Sequence, residues 1–367
     1  WSGWSGLPRK ARAGPLREAA GIAAGRQTEW SIAMRVLGFG DFIVRLSPPG
    51  YQRFFQAGHF DVNYTGAEAN VCVALAHMGV ETAFVTRLPE NDIAYAGIGE
   101  LRRHGVDTRG IVFGGERMGV FYLEKGAAQR PSRIVYDRRH SAVAESGPAD
   151  YEWREILDGY GWFHITGITP ALGSAMPEIC VEACGTAREL GLTVSCDLNY
   201  RRNLWMPEEA GSAMRKIMPY VDVLLANEED AEKVLGIKAA GSDVMRGVLD
   251  DRGYAETARR IEAEYGIHTV AISMRRSLSA SDNDWGAMLY RGGKAYFSKR
   301  YMIHLVDRVG GGDSFAAGLI YGLVNGFDPQ HTIEYAAAAS CLKQTMEMDF
   351  SLSTAAEVEK LVGGNAT

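Results

Sequence analysis

The chain has 367 residues, of which 46% are hydrophobic and 23% are charged, an ordinary composition for a globular protein. Its net charge of −6 gives no reason to expect nucleic acid or an anionic membrane as a partner. No apolar run reaches the roughly 18 residues that a membrane helix needs. The five cysteines include no C-x-x-C pair, so we expect free thiols in a reducing, cytoplasmic compartment.

The first 33 residues differ in composition from the rest of the chain. They are rich in Gly, Ala and Arg and lack the apolar core of a secretory signal. Met34 is followed at once by RVLGFGDFIVRLS, which reads as a first strand. We therefore expect residues 1–33 to be a disordered extension ahead of a single domain spanning residues 34–363. A transit peptide is the alternative, although Glu18 and Glu29 interrupt it.

Short apolar runs alternate with amphipathic stretches from Met34 onward. Continuous Val/Ile/Leu-rich runs are typical of strands buried on both faces, and strand–helix alternation predicts a parallel sheet covered by helices. The predicted strands are Val36–Phe39, Ala83–Thr86, Trp162–Thr166, Thr193–Asp197, Val221–Ala226 and Thr269–Ser273. The predicted helices are Ala69–Met78, Ile98–His104, Glu178–Leu190 and Tyr254–Tyr265, each followed by glycine.

Two segments depart from this alternation, residues 42–64 and 118–138. They contain strand-like pieces such as VFYLE and RIVYDR, and we expect no helix to follow them directly. We predict that they form a small β-sheet that projects from the main domain as a lid.

The segment VDRVGGGDSFAAGLIYGL carries the strongest chemical signal. Gly310, Gly311 and Gly312 precede Asp313 and a helical run, and amides at a helix N-terminus can bind an anion. A carboxylate beside that anion site can accept the proton of an attacking hydroxyl. The alternative is a glycine-rich turn capped by Asp313. No G-K-[ST] follows, so this is not a P-loop, and GFGDF near Met34 is an incomplete dinucleotide fingerprint.

Two motifs together resemble the ribokinase-like (PfkB) carbohydrate kinases. VDRVGGGDSF resembles the family's D-T-x-G-A-G-D signature, with glycine at the alanine position. TGAEANVCVALAHMG looks like its N-terminal G-G-x-x-x-N segment, with Thr65 in place of the first glycine. HITGITPAL, CDLNYRRNLW and NEEDAEKVLG make the chain most similar to 2-keto-3-deoxygluconate kinases within the family. The resemblance implies a central, mainly parallel sheet flanked by helices with a β lid.

The resemblance also implies roles for individual residues. Asp313 would be the catalytic base, and the amides of Gly310, Gly311 and Gly312 would form an anion hole that also contacts the nucleotide. Arg201 matches an arginine that contacts the sugar acid, since a planar fork of donors suits a carboxylate; a surface ion pair is its alternative. Gly66 and Asn70 match substrate-side positions, and Asn70 has the alternative of a helix N-cap.

The remaining candidates carry weaker signals. Asp41 follows the first strand as a substrate contact or a solvated turn residue. Arg138 and Tyr122 lie in the lid segments and are candidate substrate contacts, with packing or solvent exposure as the favoured alternative for Tyr122. Asn227 and Asp230 occupy the family's N-x-x-E positions, linked to Mg²⁺ and phosphate through water, with an acidic helix start as the alternative.

The segment at 273–286, SMRRSLSASDNDWG, departs from the glycine-rich nucleotide loop of many relatives. Ser273 and Arg275 are the candidate phosphate contacts there.

These observations predict a Mg²⁺- and ATP-dependent sugar kinase. The preferred reaction is phosphorylation of 2-keto-3-deoxygluconate to its 6-phosphate. The alternatives are a kinase for fructose or a related aldonate, and a sugar-acid sensor without catalysis. The exposed edges of a β lid are commonly covered by a partner, so we also expect a homodimer.

Overall fold

A computed structural model describes residues 34–237 and 251–364. These residues contain fifteen strands and ten α-helices. The predictions for residues 1–33 lie outside this range. The strands are β1 (Val36–Phe39), β2 (Ile43–Ser47), β3 (Asp61–Thr65), β4 (Thr82–Val85), β5 (Arg87–Leu88), β6 (Val112–Phe113), β7 (Val120–Glu124), β8 (Arg133–Asp137), β9 (Trp162–Thr166), β10 (Thr193–Asp197), β11 (Val223–Ala226), β12 (Thr269–Ser277), β13 (Asp282–Arg291), β14 (Lys294–Phe297) and β15 (Tyr301–His304).

The helices alternate with these strands over most of the chain. They are α1 (Ala67–His77), α2 (Asp92–Arg103), α3 (Trp153–Ile156), α4 (Met176–Glu189), α5 (Pro207–Ile217), α6 (Glu228–Leu235), α7 (Asp251–Tyr265), α8 (Gly311–Val324), α9 (Pro329–Lys343) and α10 (Ala355–Val362). Short 3₁₀ turns cover Phe54–Gln56, Pro148–Asp150, Thr169–Ala171 and Met218–Tyr220. None of the helices in the described part of the chain is long and apolar enough to cross a membrane.

A nine-stranded sheet forms the centre of the molecule, in the order β14-β13-β12-β11-β10-β9-β1-β4, with β15 also paired to β13. Within this sheet, β4, β1, β9, β10, β11 and β12 are parallel to one another. At one end, β13 pairs antiparallel with β12, and β14 and β15 each pair antiparallel with β13. Successive residues of one strand enter different apolar clusters: Leu224 packs in the cluster with α4, α5 and α7, and Val223 and Leu225 in the cluster with α1, α8 and α9. Burial on both faces explains the continuous apolar runs and confirms the predicted α/β class.

The two lid segments pair with each other as predicted. They form a separate four-stranded sheet in the order β3-β2-β7-β8, hereafter the small sheet. The expectation that no helix follows these segments was wrong for the first, since β3 leads through Gly66 directly into α1. A Cβ at residue 66 would lie 2.0 Å from the Asp41 carbonyl oxygen, so only glycine fits this junction.

The polar segment at 273–286 is a hairpin rather than a loop. Strand β12 continues to Ser277, four residues beyond the predicted end, and pairs antiparallel with β13. Its last residues, Arg275–Ser277, are polar and exposed, which explains why the sequence did not reveal this part of the strand.

A fully buried carboxylate joins α1 to the sheet. Glu68 Oε1 accepts hydrogen bonds from the Thr166 amide (2.9 Å), the Thr166 hydroxyl (2.8 Å) and the Thr169 hydroxyl (2.5 Å), whereas Oε2 has no partner among the described residues. A Cβ at residue 40 would lie 2.1 Å from Oε2, so Gly40 provides the room for this side chain. Burial raises the pKa of Glu68 to about 7, against which the threonine hydrogen bonds act.

Glu68→Gln is therefore expected to stabilise the protein more at pH 8 than at pH 5. Because the folded-state pKa lies above the unfolded value of 4.5, the wild-type protein loses stability as the pH rises toward and through about 7. This loss reaches at most about 1.4 kcal/mol per pH unit, and glutamine does not incur it. Urea unfolding of both proteins at the two pH values measures the difference. Glu116→Gln, an exposed control, is expected to give no such trend; an equal effect of Glu68→Gln at both pH values would contradict the assignment.

Candidate active site

A cavity of about 1290 Å³ opens at the carboxyl ends of the central parallel strands. This edge of a parallel sheet is where α/β proteins place their ligands. All but one of the residues predicted from the sequence line it: Asp41, Gly66, Asn70, Arg138, Arg201, Asn227, Asp230, Ser273, Arg275, Gly310, Gly311, Gly312 and Asp313. The structure thus brings together residues that are up to 272 positions apart, from 41 to 313.

Asp313 lies in the first turn of α8, inside the cavity wall. Its Oδ2 accepts a hydrogen bond of 2.6 Å from Asn70 Nδ2, and Asn70 Oδ1 in turn accepts one of 3.1 Å from the Thr65 hydroxyl. Burial raises the pKa of Asp313 to about 6, while the Asn70 hydrogen bond and the charge of Arg201 act in the opposite direction. A carboxylate with this pKa is ionised near neutrality and still basic enough to take a proton.

These contacts decide the alternatives for both residues. Gly310, not Asp313, is the N-cap of α8, so the capping interpretation of Asp313 was wrong. Asn70 lies inside α1, whose N-cap is Gly66, so the N-cap interpretation of Asn70 was wrong as well. The side chain of Asn70 instead donates the hydrogen bond that orients Asp313.

The three glycines have different roles in the turn. Gly310 has a φ of +80°, and a Cβ there would lie 2.1 Å from the Asp349 carbonyl oxygen. The Gly311 amide donates to the Arg308 carbonyl (3.3 Å), so the predicted hole of three glycine amides is not formed as expected. The amides of Gly312 and Asp313 donate to no acceptor within residues 34–237 and 251–364, and they lie at the positive end of α8.

Asp41 is buried, which rules out the solvated-turn interpretation. Its Oδ2 lies 3.6 Å from Arg138 Nη1, and neither carboxylate oxygen has a hydrogen-bond partner among the described residues. Burial raises the pKa of Asp41, and the charge of Arg138 opposes this. Arg138 also stacks on the Tyr136 ring at 4.3 Å. Unsatisfied buried oxygens at a cavity wall are suited to accept hydroxyl groups from a ligand.

Tyr122 is the one predicted residue that the structure does not bring to the cavity. It lies on β7, and the neighbouring Phe121 lines the cavity instead. Because successive strand residues point to opposite faces, Tyr122 faces outward, where its ring packs against Phe60 at 5.9 Å. The sequence indicates that β7 is a strand, but it does not indicate which face of the strand lines the cavity.

Three of the cavity carboxylates, Asp197, Asp230 and Asp313, interact electrostatically, and one of them, Asp197 at the end of β10, was missed in the sequence. Burial and the charges of Asp230 and Asp313 raise the pKa of Asp197 well above its usual range. Burial raises the pKa of Asp230 to about 7. The charge of Arg201 opposes all three shifts. Arg201 has no carboxylate within 4.0 Å in the described part of the chain, so the predicted surface ion pair is not present. The position of Asp197 directly after a buried strand was the available signal.

Asn227 and Asp230 are part of the start of α6. Asn227 caps this helix, accepting a 2.9 Å hydrogen bond from the Asp230 amide, and Asp230 Oδ1 accepts one of 3.2 Å from the Tyr200 amide. Among residues 34–237 and 251–364, no group of three His, Cys, Asp or Glu side chains is arranged to hold a metal ion.

A buried ionic cluster below the glycine turn was also missed in the sequence. Arg45, only 1% exposed on β2, donates to Asp307 Oδ2 at 2.6 Å and to Asp349. Asp307 Oδ1 accepts the Val309 amide (3.1 Å), and the Asp349 carbonyl packs against Gly310. The cluster thus fastens the small sheet to the turn that carries Asp313.

Comparison with known proteins places this site in a family. The sequence profile of the pfkB family carbohydrate kinases matches residues 35–354. The crystal structure of 2-dehydro-3-deoxygluconokinase from Thermotoga maritima is 52% identical, with a TM-score of 0.87 over 90% of this chain and 100% of the other. The 2-dehydro-3-deoxygalactonokinase of Haloferax volcanii is 33% identical over 89% of this chain and 96% of its own length. The 2-dehydro-3-deoxygluconokinase of Thermoproteus tenax is 26% identical over 84% and 87%, respectively.

These similarities confirm the family and the ribokinase-like fold that the motifs predicted, and they favour a kinase over a sensor. The chain is a sugar kinase and belongs to the ATP-using pfkB family of carbohydrate kinases.

Proposed function

We propose that this protein transfers the γ-phosphoryl group of Mg-ATP to the terminal hydroxyl of a 2-keto-3-deoxy sugar acid. The observation that carries the proposal is the pairing of Asp313 with Asn70 beside the open amides of α8, within one cavity. The relatives named above act, by their names, on 2-dehydro-3-deoxygluconate or its galactonate counterpart, which supports this substrate class.

In the proposed step, the sugar hydroxyl oxygen forms a bond to the γ-phosphorus. The bond between the γ-phosphorus and the bridging oxygen breaks, and its electron pair leaves with ADP. Asp313 takes the hydroxyl proton, and Asn70 holds the accepting carboxylate in place. The amides of Gly312 and Asp313 stabilise charge on the phosphoryl oxygens, because donors fixed at the site where charge develops cost no reorganisation.

The sugar is proposed to bind between the small sheet and Arg201. The unsatisfied oxygens of Asp41 can accept its hydroxyls, and Arg138 holds Asp41 and can itself donate. Arg201 faces the carboxylate end of the sugar acid with donors that pair with no carboxylate of the described chain. Gly66 permits the tight junction that sets Asp41 beside the sugar.

We prefer 2-keto-3-deoxygluconate as the substrate, giving the 6-phosphate, because the 52% identical structure carries that name. An ADP-release assay with 2-keto-3-deoxygluconate, 2-keto-3-deoxygalactonate, fructose and ribose tests this choice. Turnover is expected with the sugar acids and highest with the gluconate. Faster turnover of 2-keto-3-deoxygalactonate would identify that epimer as the preferred substrate. Turnover of neutral sugars alone would refute the sugar-acid class.

Arg201→Ala is expected to raise the KM for the sugar acid by about 10- to 100-fold, since a charge-assisted hydrogen bond contributes roughly 1.5–3 kcal/mol. The kcat should change less, because the contact exists in the ground state as well as in the transition state. Steady-state kinetics with the sugar acid and with fructose measures the effect. Equal harm to both substrates would show that Arg201 has a structural role.

We also propose a homodimer that pairs through the outer face of the small sheet, and a cytoplasmic location, in keeping with five free cysteines. Leu46, Val62, Tyr122 and Val135 form one cross-strand row on that face, where Val62 is 57% and Val135 52% exposed. Phe55 at the distal end is 92% exposed. An apolar sheet face of this kind is a candidate interface.

Light scattering is expected to give twice the chain mass of 40.1 kDa at micromolar concentration. Val135→Lys should shift the protein toward the monomer, whereas Met302→Lys, a change at an exposed residue outside the small sheet, should not. A wild-type monomer mass would remove this proposal.

A further inference from the structure

Several arginines line the cavity without a carboxylate within 4.0 Å in the described part of the chain, and two of them, Arg275 and Arg308, interact electrostatically with each other. Arg275 extends from β12, and Arg308 lies in the loop before α8. Two other cavity arginines are paired: Arg300 with Asp284 at 2.9 Å, and Arg138 with Asp41 at 3.6 Å. Arg275 and Arg308, in contrast, have no carboxylate within 4.0 Å among residues 34–237 and 251–364.

Arg308 contacts both the β12–β13 hairpin and the start of α8. Its Nη2 donates to the Ala280 carbonyl (3.3 Å) in the turn of the β12–β13 hairpin, and its own carbonyl accepts the Gly311 amide (3.3 Å) at the start of α8. The guanidinium has five N–H donors in a fixed fork, and this contact uses one of them. Arg308 lines the same cavity as Gly312 and Asp313, whose amides are open.

The charge balance around Arg308 calls for an anion. The adjacent carboxylate, Asp307, is engaged by Arg45 at 2.6 Å. Burial and the positive charge of Arg275 lower the pKa of Arg308, and the charge of Asp307 offsets this only in part, so the two guanidinium groups are close enough to repel each other. Two like charges at a cavity wall are unfavourable without a counter-charge, and a polyanion between them removes the repulsion.

We propose that Arg308 and Arg275 together clamp the polyphosphate of the nucleoside triphosphate, with Arg308 acting as a catalytic residue on the transferring phosphoryl group. This inference rests on the proposed function. When the bond between the γ-phosphorus and the bridging oxygen breaks, negative charge grows on the bridging oxygen of the departing ADP, and arginine donors stabilise such charge. Asp313 still receives the proton, so Arg308 adds charge stabilisation without replacing the base.

The test uses the full chain and the single changes Arg308→Gln and Arg275→Gln, with Arg291→Gln as a control that removes the same charge from the far, exposed end of β13. Calorimetry without sugar measures the binding of Mg-ATP and of Mg-tripolyphosphate. We expect each cavity change to weaken both by at least about 10-fold, and Arg308→Gln also to lower kcat at saturating Mg-ATP by about 10- to 100-fold. Guanidinium ion should restore part of the activity of Arg308→Ala, which a purely structural role would not allow.

Thermal melting gives a second readout. Because the arginines repel each other in the absence of nucleotide, Arg275→Gln should leave the Tm of the free protein unchanged or raise it, while reducing the Tm increase caused by Mg-ATP. If Arg308→Gln does not fold, Arg275→Gln provides the same binding test.

Wild-type affinity for Mg-ATP in both cavity variants would overturn the inference, as would the absence of Mg-ATP binding to the wild-type protein. Failure of the proposed function looks different: the wild-type protein would bind Mg-ATP and lose affinity on arginine substitution, yet phosphorylate no sugar acid.

Discussion

Replacing Asp313 by asparagine is expected to lower kcat by about 10²–10⁴-fold, the usual contribution of general-base assistance. Asparagine keeps nearly the same volume and can still accept the hydrogen bond from Asn70 Nδ2. It cannot take the proton of the sugar hydroxyl, so the loss should fall on the chemical step while the KM values and the Tm change little. Single-turnover measurement of phosphoryl transfer checks this directly.

The pH dependence of the wild-type enzyme provides an independent check. Since the pKa of Asp313 is about 6 and the ionised form is the base, kcat/KM should fall as the pH drops through about 6 and level off above it. The residual activity of Asp313→Asn should lack this ionisation, and Asp158→Asn, a surface control, should keep it. Near-normal kcat in Asp313→Asn would show that Asp313 is not the base.

Arg45→Met is expected to destabilise the fold by about 3–5 kcal/mol, the cost of removing one partner from a buried ion pair. The change leaves the carboxylates of Asp307 and Asp349 buried without their main counter-charge, because Arg45 donates to both. Lys343, fully buried nearby, can offset part of this cost. Urea unfolding measures the free energy of unfolding.

The protein offers a matched control for this change. Arg109 also pairs with an aspartate, Asp107, at 2.6 Å, but its side chain is 83% exposed. Surface pairs contribute about 0–1 kcal/mol, so Arg109→Met should cost little. Combining Arg45→Met with Asp307→Asn and Asp349→Asn should recover part of the stability. A loss at Arg45 no larger than at Arg109 would contradict the role of the buried cluster.

The core of the fold was predictable because strands buried on both faces appear in the sequence as short, mainly apolar runs. The bounds of β1, β9 and β10 agree with the predicted strands, and nearly all of their residues are buried. Strand β12 was cut short because its last residues, Arg275–Ser277, are polar and exposed in the hairpin. Periodicity detects a buried strand, and it does not detect one that leaves the core.

The site was predictable where a motif fixed the local backbone, and not where partners are distant in sequence. The glycine turn marked Asp313 from local residues alone. The bond from Asn70 to Asp313 spans 243 positions and that from Arg45 to Asp349 spans 304, and one sequence gives no sign of either. Helix α1 begins at Ala67, and its N-cap, Gly66, has no side chain to mark the start in the sequence. The N-cap alternative for Asn70 was wrong for this reason.

The attachment of the small sheet decides how it can move over the cavity. Two of its four strands are held in place: β2 at its middle by the buried contacts of Arg45, and β3 at its inner end by the tight Gly66 junction with α1. A sheet held in this way is expected to bend along its length rather than to rotate as a rigid body about its base. Any movement of the small sheet over the cavity is therefore expected to grow along the strands toward Phe54–Gln56, while the glycine turn beside Arg45 keeps its position.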